Sequence, residues 1–209
     1  METSLDLIVF YTCDLRGDLD RLPRLFTLIR GLINSAHDAT IPARRLLLDL
    51  GNACVPEVWH CQATGGRSTL MVLDAMGYHA ANVTGVLSEE NRARIAAVTT
   101  MALVDADHPH LDADILITSE VDIQSSCFQI CLTPPDETRV AVNTLFLARV
   151  EAGRVGMAMV RRTPDGTAYL HSHEVPGYDL HPRIHPDPTI AGTVDFVLSE
   201  ARVYQRKQR

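Results

Sequence analysis

Features that would place the chain in a membrane or on a nucleic acid are missing from its sequence. No apolar run approaches the roughly 18 to 20 residues of a membrane-spanning helix. The first residues lack the positively charged flank of a secretory signal, so a cytoplasmic location is expected. Residues 206–209 form the only basic cluster in a chain of formal net charge −7, whereas phosphate binding needs a concentrated basic face. We therefore expect neither a membrane span nor a nucleic-acid partner.

Cysteine is sparse, and its spacing does not match a metal-binding pattern. The five cysteines include no C-x-x-C pair, and their odd number in a chain of 209 residues gives no disulfide framework. They are Cys13, Cys54, Cys61, Cys127 and Cys131. We expect reduced thiols that serve as small buried side chains rather than as metal ligands.

What the sequence does contain is typical of one globular domain, expected to span residues 1–209. Apolar residues make up 46% and charged residues 22%, a balance that excludes a disordered or fibrous chain. The spacing of apolar residues predicts strands at 5–11, 44–50 and 80–83, and helices at 22–32 and 69–76. This β-α-β-α-β order predicts a layered α/β domain.

The pattern changes in the second half of the chain. After a helix at 89–100 and a buried strand at 114–118, we expect consecutive antiparallel strands separated by turns. These strands are predicted at 127–132, 139–150, 154–162 and 168–174, with turns at 133–136, 151–153 and 163–166. A proline-rich passage, 176–188, leads to an amphipathic helix at 189–204, which is expected to pack its apolar face on the sheet. The residues of that face are Ile190, Val194, Phe196, Val197, Leu198 and Val203.

Polar or glycine-bearing turns follow four of the predicted strands. They comprise residues 14–18, 49–52, 84–86 and 119–122. Because ligands of open α/β sheets bind outside the carboxyl ends of the strands, these four turns mark the place to look for a site.

Along nearly all of its length, the chain resembles the catalytic domain of 5′-nucleotidases, which are calcineurin-like metallophosphoesterases. Members of that family begin with strand-D-x-H-G, and residues 7–17 are LIVFYTCDLRG, followed by a similar helix at 21–32. Their D-x-G-D turn is matched by residues 49–52, and their M-N-x-x-G-Y-D-A helix end by residues 73–80. The resemblance implies a layered α/β/β/α sandwich without the carboxyl-terminal domain that binds the nucleotide base. It also implies a site for two divalent metal ions that hydrolyses phosphoesters.

The sequence departs from the family at the metal ligands themselves. Asp14 matches the first metal-binding aspartate, but Arg16 replaces a histidine and Asn52 replaces the bridging aspartate. An arginine only donates hydrogen bonds and cannot coordinate a cation, while an amide brings no negative charge to hold two dications together. The family's G-N-H-E turn falls on residues 84–87, and its G-H-x-H turn falls on residues 119–122, where neither histidine is present.

Two hypotheses follow from these departures. In the first, the chain is a degenerate metallophosphoesterase that needs no cofactor and acts as a binding or assembly subunit with a protein partner or a second copy. The Arg16 guanidinium then lies in the cleft among Asp14, Asp49 and Glu120. In the alternative, the chain is an active phosphoester hydrolase whose Mg²⁺, Mn²⁺ or Ca²⁺ is held by oxygen donors. Those donors are Asp14, Asn52, Glu120 and Asp122.

Other groups of chemically active residues are expected to be structural. His171 and His173 would share one face of a strand, as metal ligands do, but with His181 and His185 we expect them to be exposed histidines. A thiol nucleophile with His60 as its base is conceivable in the segment 54–61, yet we expect a loop that packs Trp59 over the sheet edge or against a partner.

Two further segments have a composition that suggests ligands. The glycine-rich residues 64–68 precede a helix but match no phosphate-binding fingerprint. Residues 105–110, DADHPH, look like a metal-coordinating run, but they lie between a helix and a strand. We expect the latter segment to be a solvated connection.

Overall fold

The computed structural model describes residues 6–37, 43–163, 167–175 and 180–207. The predicted turn at 163–166 and the proline-rich passage lie partly outside them, as do the last two residues of the basic cluster. In chain order the elements are β1 (Asp6–Thr12), α1 (Leu22–His37), β2 (Ala43–Asp49), α2 (Trp59–Thr64), α3 (Arg67–Ala75), β3 (Ala80–Asn82), α4 (Glu89–Ala96), β4 (Ala102–Val104), β5 (His110–Asp112), β6 (Ile115–Thr118), β7 (Phe128–Cys131), β8 (Arg139–Ala141), β9 (Thr144–Phe146), β10 (Gly156–Arg162), β11 (Ala168–Glu174) and α5 (Pro188–Lys207).

Six strands form the first sheet, in the order β11-β10-β1-β2-β3-β4. The strands β1 to β4 are parallel, and β10 joins β1 antiparallel. A parallel sheet is covered on both faces, which explains why β1 is almost continuously apolar. Ile8 and Phe10 face the helices α1, α3 and α5, while Leu7 and Val9 face the second sheet.

Five strands form the second sheet, in the order β5-β6-β7-β9-β8. Here the predicted run of antiparallel strands is only partly right, since β8 pairs antiparallel with β9 and β10 with β11. The strand β7 is parallel to both β6 and β9, while β10 and β11 belong to the first sheet. The single strand expected at 139–150 is a hairpin instead, because Val142 and Asn143 take left-handed φ values of 46° and 60°.

The layers are held by two apolar cores. One lies between the helices and the first sheet, and the other lies between the two sheets, where Val9 and Leu48 pack with Ile117 and Ile130. The outer face of the second sheet is covered by the segment after β6, because the side chain of Gln129 is hydrogen-bonded to the backbone of Asp122. The expected layered α/β sandwich is confirmed.

The helix α5 completes the helical layer. Its buried residues are Ile190, Val194, Val197 and Ala201. Phe196 and Val203, also assigned to the packed face from the sequence, are 63% and 49% exposed. Among the described helices, none is long and apolar enough to cross a membrane.

Candidate functional site at the strand ends

The loops that follow β1 and β2 are joined side by side at the edge of the first sheet. The amide groups of Asp14, Arg16 and Gly17 donate to the carbonyl oxygens of Gly51, Asn52 and Ala53 at 3.0, 2.8 and 2.8 Å. Asp14, Arg16 and Asn52 all have positive φ values, of 56°, 51° and 57°. Such a value costs most non-glycine residues about 1–2 kcal/mol, whereas aspartate and asparagine tolerate it best. The left-handed backbone at Asp14 and Asn52 holds their side chains at one place.

The centre of this place is the carboxylate of Asp14, whose side chain is 16% exposed. Its Oδ1 accepts a hydrogen bond from Asn52 Nδ2 at 2.7 Å, and its Oδ2 lies 3.0 Å from Arg149 Nη1. We call Asp14, Asn52 and Arg149 the strand-end cleft. Both carboxylate oxygens of Asp14 are thus already engaged by donors.

Arg149 takes the role that sequence reasoning gave to Arg16, so that expectation is wrong. Arg16 is exposed and forms no ion pair with any described residue. The left-handed turn directs its amide group to Asn52, and its side chain stays in solvent. Arg149 was missed because it follows β9, a strand whose parallel place beside β7 was not predicted.

Asp49 lies beneath the cleft rather than in it, since it is fully buried. Its Oδ1 accepts from Thr12 Oγ1 at 3.2 Å and its Oδ2 from the Gly51 amide at 3.0 Å. Burial raises the pKa of Asp49 to about 8, despite these hydrogen bonds. Asp49 is therefore mostly protonated at neutral pH and supplies little negative charge.

The neighbouring thiol and phenol are also held in their neutral forms. Burial, with the charge of Asp14 beside it, raises the pKa of Cys13 to about 12. Burial likewise raises the pKa of Tyr78, whose hydroxyl lies 2.9 Å from Thr12 Oγ1. A thiol that stays protonated is neither a nucleophile nor a metal ligand.

Glu120 and Asp122 are exposed, and the structure does not gather them with Asp14. Asp122 is tied to Gln129 on the outer face of the second sheet, with its amide 3.0 Å from Gln129 Oε1. Among the described residues, Asp14, Glu120 and Asp122 do not form a group of ligand atoms within 4.8 Å of one another. The proposed set of oxygen donors is therefore not assembled here.

Asn82, at the end of β3, is a second residue that sequence reasoning missed. Its Nδ2 donates to the carbonyl oxygens of Leu50 at 3.2 Å and Leu132 at 3.4 Å, and its Oδ1 accepts from the Thr84 amide at 3.0 Å. It thereby ties the end of β2 to the segment after β7. With its side-chain amide engaged in these hydrogen bonds, Asn82 holds the backbone at the end of β2 in position.

The cysteines are only partly as expected. Cys54 and Cys61 form a disulfide, so the prediction of reduced thiols is wrong for this pair, while Cys13, Cys127 and Cys131 are free. The helix α2 lies where a loop was expected, and it brings the two Cα atoms to 5.8 Å, a separation that suits a disulfide.

The disulfide packs under the loop of the cleft. A Cβ on Gly17 would lie 2.9 Å from Cys61 Sγ, so only glycine fits there, and the positive φ of 76° also requires glycine.

His60 is buried, with Nδ1 2.8 Å from Ser68 Oγ and Nε2 3.0 Å from the Gly17 carbonyl oxygen. Burial lowers the pKa of His60, and its role is to anchor the loop rather than to activate a thiol. Trp59 is 38% exposed and meets His60 edge to face.

The two strand histidines have different surroundings. His173 Nε2 lies 2.8 Å from Tyr11 Oη and 3.1 Å from Thr138 Oγ1, whereas His171 is exposed. Burial lowers the pKa of His173. The pair belongs to no group of three candidate metal ligands in the described part of the chain.

These residues do not fit the two metal ions that the resemblance implies. Both oxygens of Asp14 are bound by cationic or amide donors, Asp49 is fully buried with both oxygens accepting hydrogen bonds, and the residues described around the cleft include no imidazole ligand. Two neighbouring dications need a shared anionic ligand and further donors around it. The cleft instead carries one carboxylate that is neutralised by one guanidinium.

Comparisons with known proteins show which solved structures have a similar fold. No protein-family model and no curated protein matches the sequence. NAD nucleotidase from Haemophilus influenzae matches with a TM-score of 0.52 and 10% identity, over 98% of this chain and 61% of its own. A Staphylococcus aureus protein assigned as a 5′-nucleotidase, in complex with α-ketoglutarate, gives 0.55 and 10% over 93% of this chain and 58% of its own. The chain thus spans about three fifths of each structure. It has a 5′-nucleotidase-like metallophosphoesterase fold.

Proposed function

We propose that this protein uses a metallophosphoesterase fold without two-metal catalysis, and that it acts as a binding or assembly subunit. The observation that carries the proposal is the strand-end cleft, in which Arg149 and Asn52 occupy both oxygens of Asp14. A dication would have to displace a guanidinium, and it would then find one ionised carboxylate with an amide as neighbour. That exchange gains little, because a lone carboxylate with a neutral amide beside it lacks the shared anionic ligands that two dications need.

A phosphoesterase assay tests the catalytic half of this proposal. Purified protein would be incubated with p-nitrophenyl phosphate, bis-p-nitrophenyl phosphate and AMP, each with Mn²⁺, Mg²⁺, Ca²⁺ or Zn²⁺. We expect no metal-dependent turnover beyond that of an Asp14→Asn variant purified in the same way. Turnover that requires both a metal ion and Asp14 would contradict the proposal.

The alternative function is metal-dependent phosphoester hydrolysis. It is favoured by the proximity of Asp14 and Asn52, which supply one carboxylate and one amide at a strand end. The exposure of Glu120 and Asp122 weighs against it, because these residues would have to move to complete the donor set. If this alternative holds, the turnover in the assay above falls in both Asp14→Asn and Asn52→Ala.

The assembly half is supported by exposed apolar side chains on α5. Phe196 and Val203 are seven residues apart, so they lie on one face of the helix, away from its buried residues. We expect a second copy of the chain to cover this face. Sedimentation velocity should show a dimer that dissociates in Phe196→Ser, with Val98→Ser, another exposed apolar position, as the control. A monomer at every concentration would remove this support.

A further inference from the structure

A cluster of polar side chains lies apart from the strand-end cleft, where α4 meets the segment that crosses from the first sheet to the second. Glu89 is the first residue of α4, and its helix is capped by Ser88, whose Oγ accepts from the Asn91 amide at 3.3 Å. Asp105 follows β4 directly, and His108 lies in the short connection to β5. This connection contains the segment DADHPH, residues 105–110, and it lies outside the strand-end cleft.

The three side chains are close enough to share an ion. One ligand atom from each of Glu89, Asp105 and His108 lies within 4.8 Å of the other two. His108 Nδ1 is 2.7 Å from Asp105 Oδ1, and both side chains are partly buried, at 36% and 19% exposure. Donors about 2.0–2.2 Å from a tetrahedral zinc-type ion lie roughly 3.4 Å from one another. An ion would therefore replace the hydrogen bond between His108 and Asp105 and draw the Glu89 carboxylate closer.

Neighbouring groups already hold the central carboxylate in place. The Asp107 amide donates to Asp105 Oδ1 at 3.0 Å, and Arg92 Nε lies 3.1 Å from Asp105 Oδ2. Arg92 is itself fixed by a 2.7 Å hydrogen bond to the Leu103 carbonyl oxygen. Both oxygens of Asp105 therefore already have donors, as those of Asp14 do, but here a second carboxylate and an imidazole lie within reach of an incoming ion.

The charges in the cluster leave an excess of negative charge. Glu89 forms no ion pair or hydrogen bond with any described residue, although its carboxylate lies beside that of Asp105. The cation Arg92 offsets one of the two carboxylates and leaves the other without a partner. A dication between the carboxylates would relieve this repulsion.

We propose that Glu89, Asp105 and His108 form a binding site for a divalent transition-metal ion. One imidazole nitrogen with two carboxylate oxygens suits Zn²⁺, Co²⁺ or Mn²⁺ better than Mg²⁺ or Ca²⁺, which prefer oxygen ligands throughout. The ion would connect the first turn of α4 to the crossing between the sheets. Because the site lies outside the strand-end cleft, the proposal does not depend on whether the cleft is catalytic.

A cobalt titration tests this site without reference to activity. Chelator-treated protein free of any histidine tag would be titrated with Co²⁺, and binding followed by the visible absorption of the bound ion and by calorimetry. We expect one Co²⁺ per chain, displaced by Zn²⁺ and not by an equal concentration of Mg²⁺. Binding should weaken at least tenfold in both Glu89→Gln and His108→Asn.

Matched variants separate this site from other ligands on the surface. Glu90→Gln changes the next carboxylate, which is 83% exposed, and His110→Asn changes the nearby exposed histidine of β5, so neither should alter the affinity. Asp14→Asn tests the cleft and should also have no effect. Absence of binding at millimolar Co²⁺, binding that survives His108→Asn, or binding lost in Asp14→Asn would each overturn the proposal. Since Glu89 is exposed, Glu89→Gln keeps the test valid even if His108→Asn misfolds.

Discussion

At the scale of single residues, Asp49 makes stability depend on pH. Its pKa in the folded protein is about 8, whereas that of an unfolded aspartate is about 3.9. Between these values the folded chain holds a proton that the unfolded chain has released, so stability falls as pH rises through this window. The stability contributed by the Asp49 proton is fully present below about pH 4 and is lost above about pH 8.

We therefore expect Asp49→Asn to weaken this dependence. The asparagine can still accept from the Gly51 amide and pair with Thr12, but it carries no titratable proton. Urea unfolding at pH 5 and pH 8 would measure the difference, with the exposed Asp122→Asn as the control. An equal loss of stability in the wild type and in Asp49→Asn would show that Asp49 is not the titrating group.

Asn52 tests the strain and the hydrogen bond of the cleft separately. Asn52→Ala loses the donor to Asp14 and keeps an unfavourable φ of 57°, so we expect it to destabilise the protein by about 2 kcal/mol. Asn52→Gly loses the same donor but relieves the backbone, and should be destabilised less. Both are measured by denaturant unfolding. If Asn52→Gly and Asn52→Ala lose the same free energy of unfolding, the left-handed backbone at residue 52 does not affect stability.

At the scale of elements, the β8–β9 hairpin contains an unfavourable turn. Val142 is β-branched, 96% exposed and at a φ of 46°, where asparagine or glycine is normally found. We expect Val142→Asn to stabilise the protein by about 1 kcal/mol, measured as a rise in Tm. The control is Ile123→Asn, which removes an apolar side chain that is 92% exposed. A similar change in both variants would point to surface hydrophobicity rather than turn geometry.

The disulfide is the second test at this scale. It closes a loop with a sequence separation of seven residues, so its removal should cost about 2 kcal/mol. Cys54→Ser and the reduced wild type should lose similar stability, because both open the same loop. Cys127→Ser, which changes a free cysteine, should keep the sensitivity to reductant. Stability that is insensitive to reductant in the wild type would contradict the disulfide.

Long elements with a regular apolar spacing can be predicted from the sequence, whereas short elements cannot. The strands β1 and β2 and the helix α1 are long enough for apolar spacing to reveal them, although α1 extends five residues beyond its predicted end. The helix α2 has only six residues and no side-chain cap, so its pattern could not be told from a loop. Its absence from the prediction also hid the disulfide.

At the scale of the whole molecule, the order of strands decides what the cleft contains. Local patterns predicted that the loops after β1 and β2 meet, and the structure joins Asp14 to Asn52 there. They could not predict Arg149, because its approach to Asp14 spans more than a hundred residues and depends on β9 lying parallel to β7. This topology is the reason why Arg149, rather than the expected Arg16, pairs with Asp14.

The most direct test of the central claim is anomalous diffraction from crystals soaked in Mn²⁺. We predict no ion at Asp14 and Asn52, with Arg149 still paired to Asp14 as in the structure described above. Two ions bound about 3.5–4 Å apart between these side chains, with Arg149 displaced, would contradict the claim that the cleft has lost two-metal chemistry.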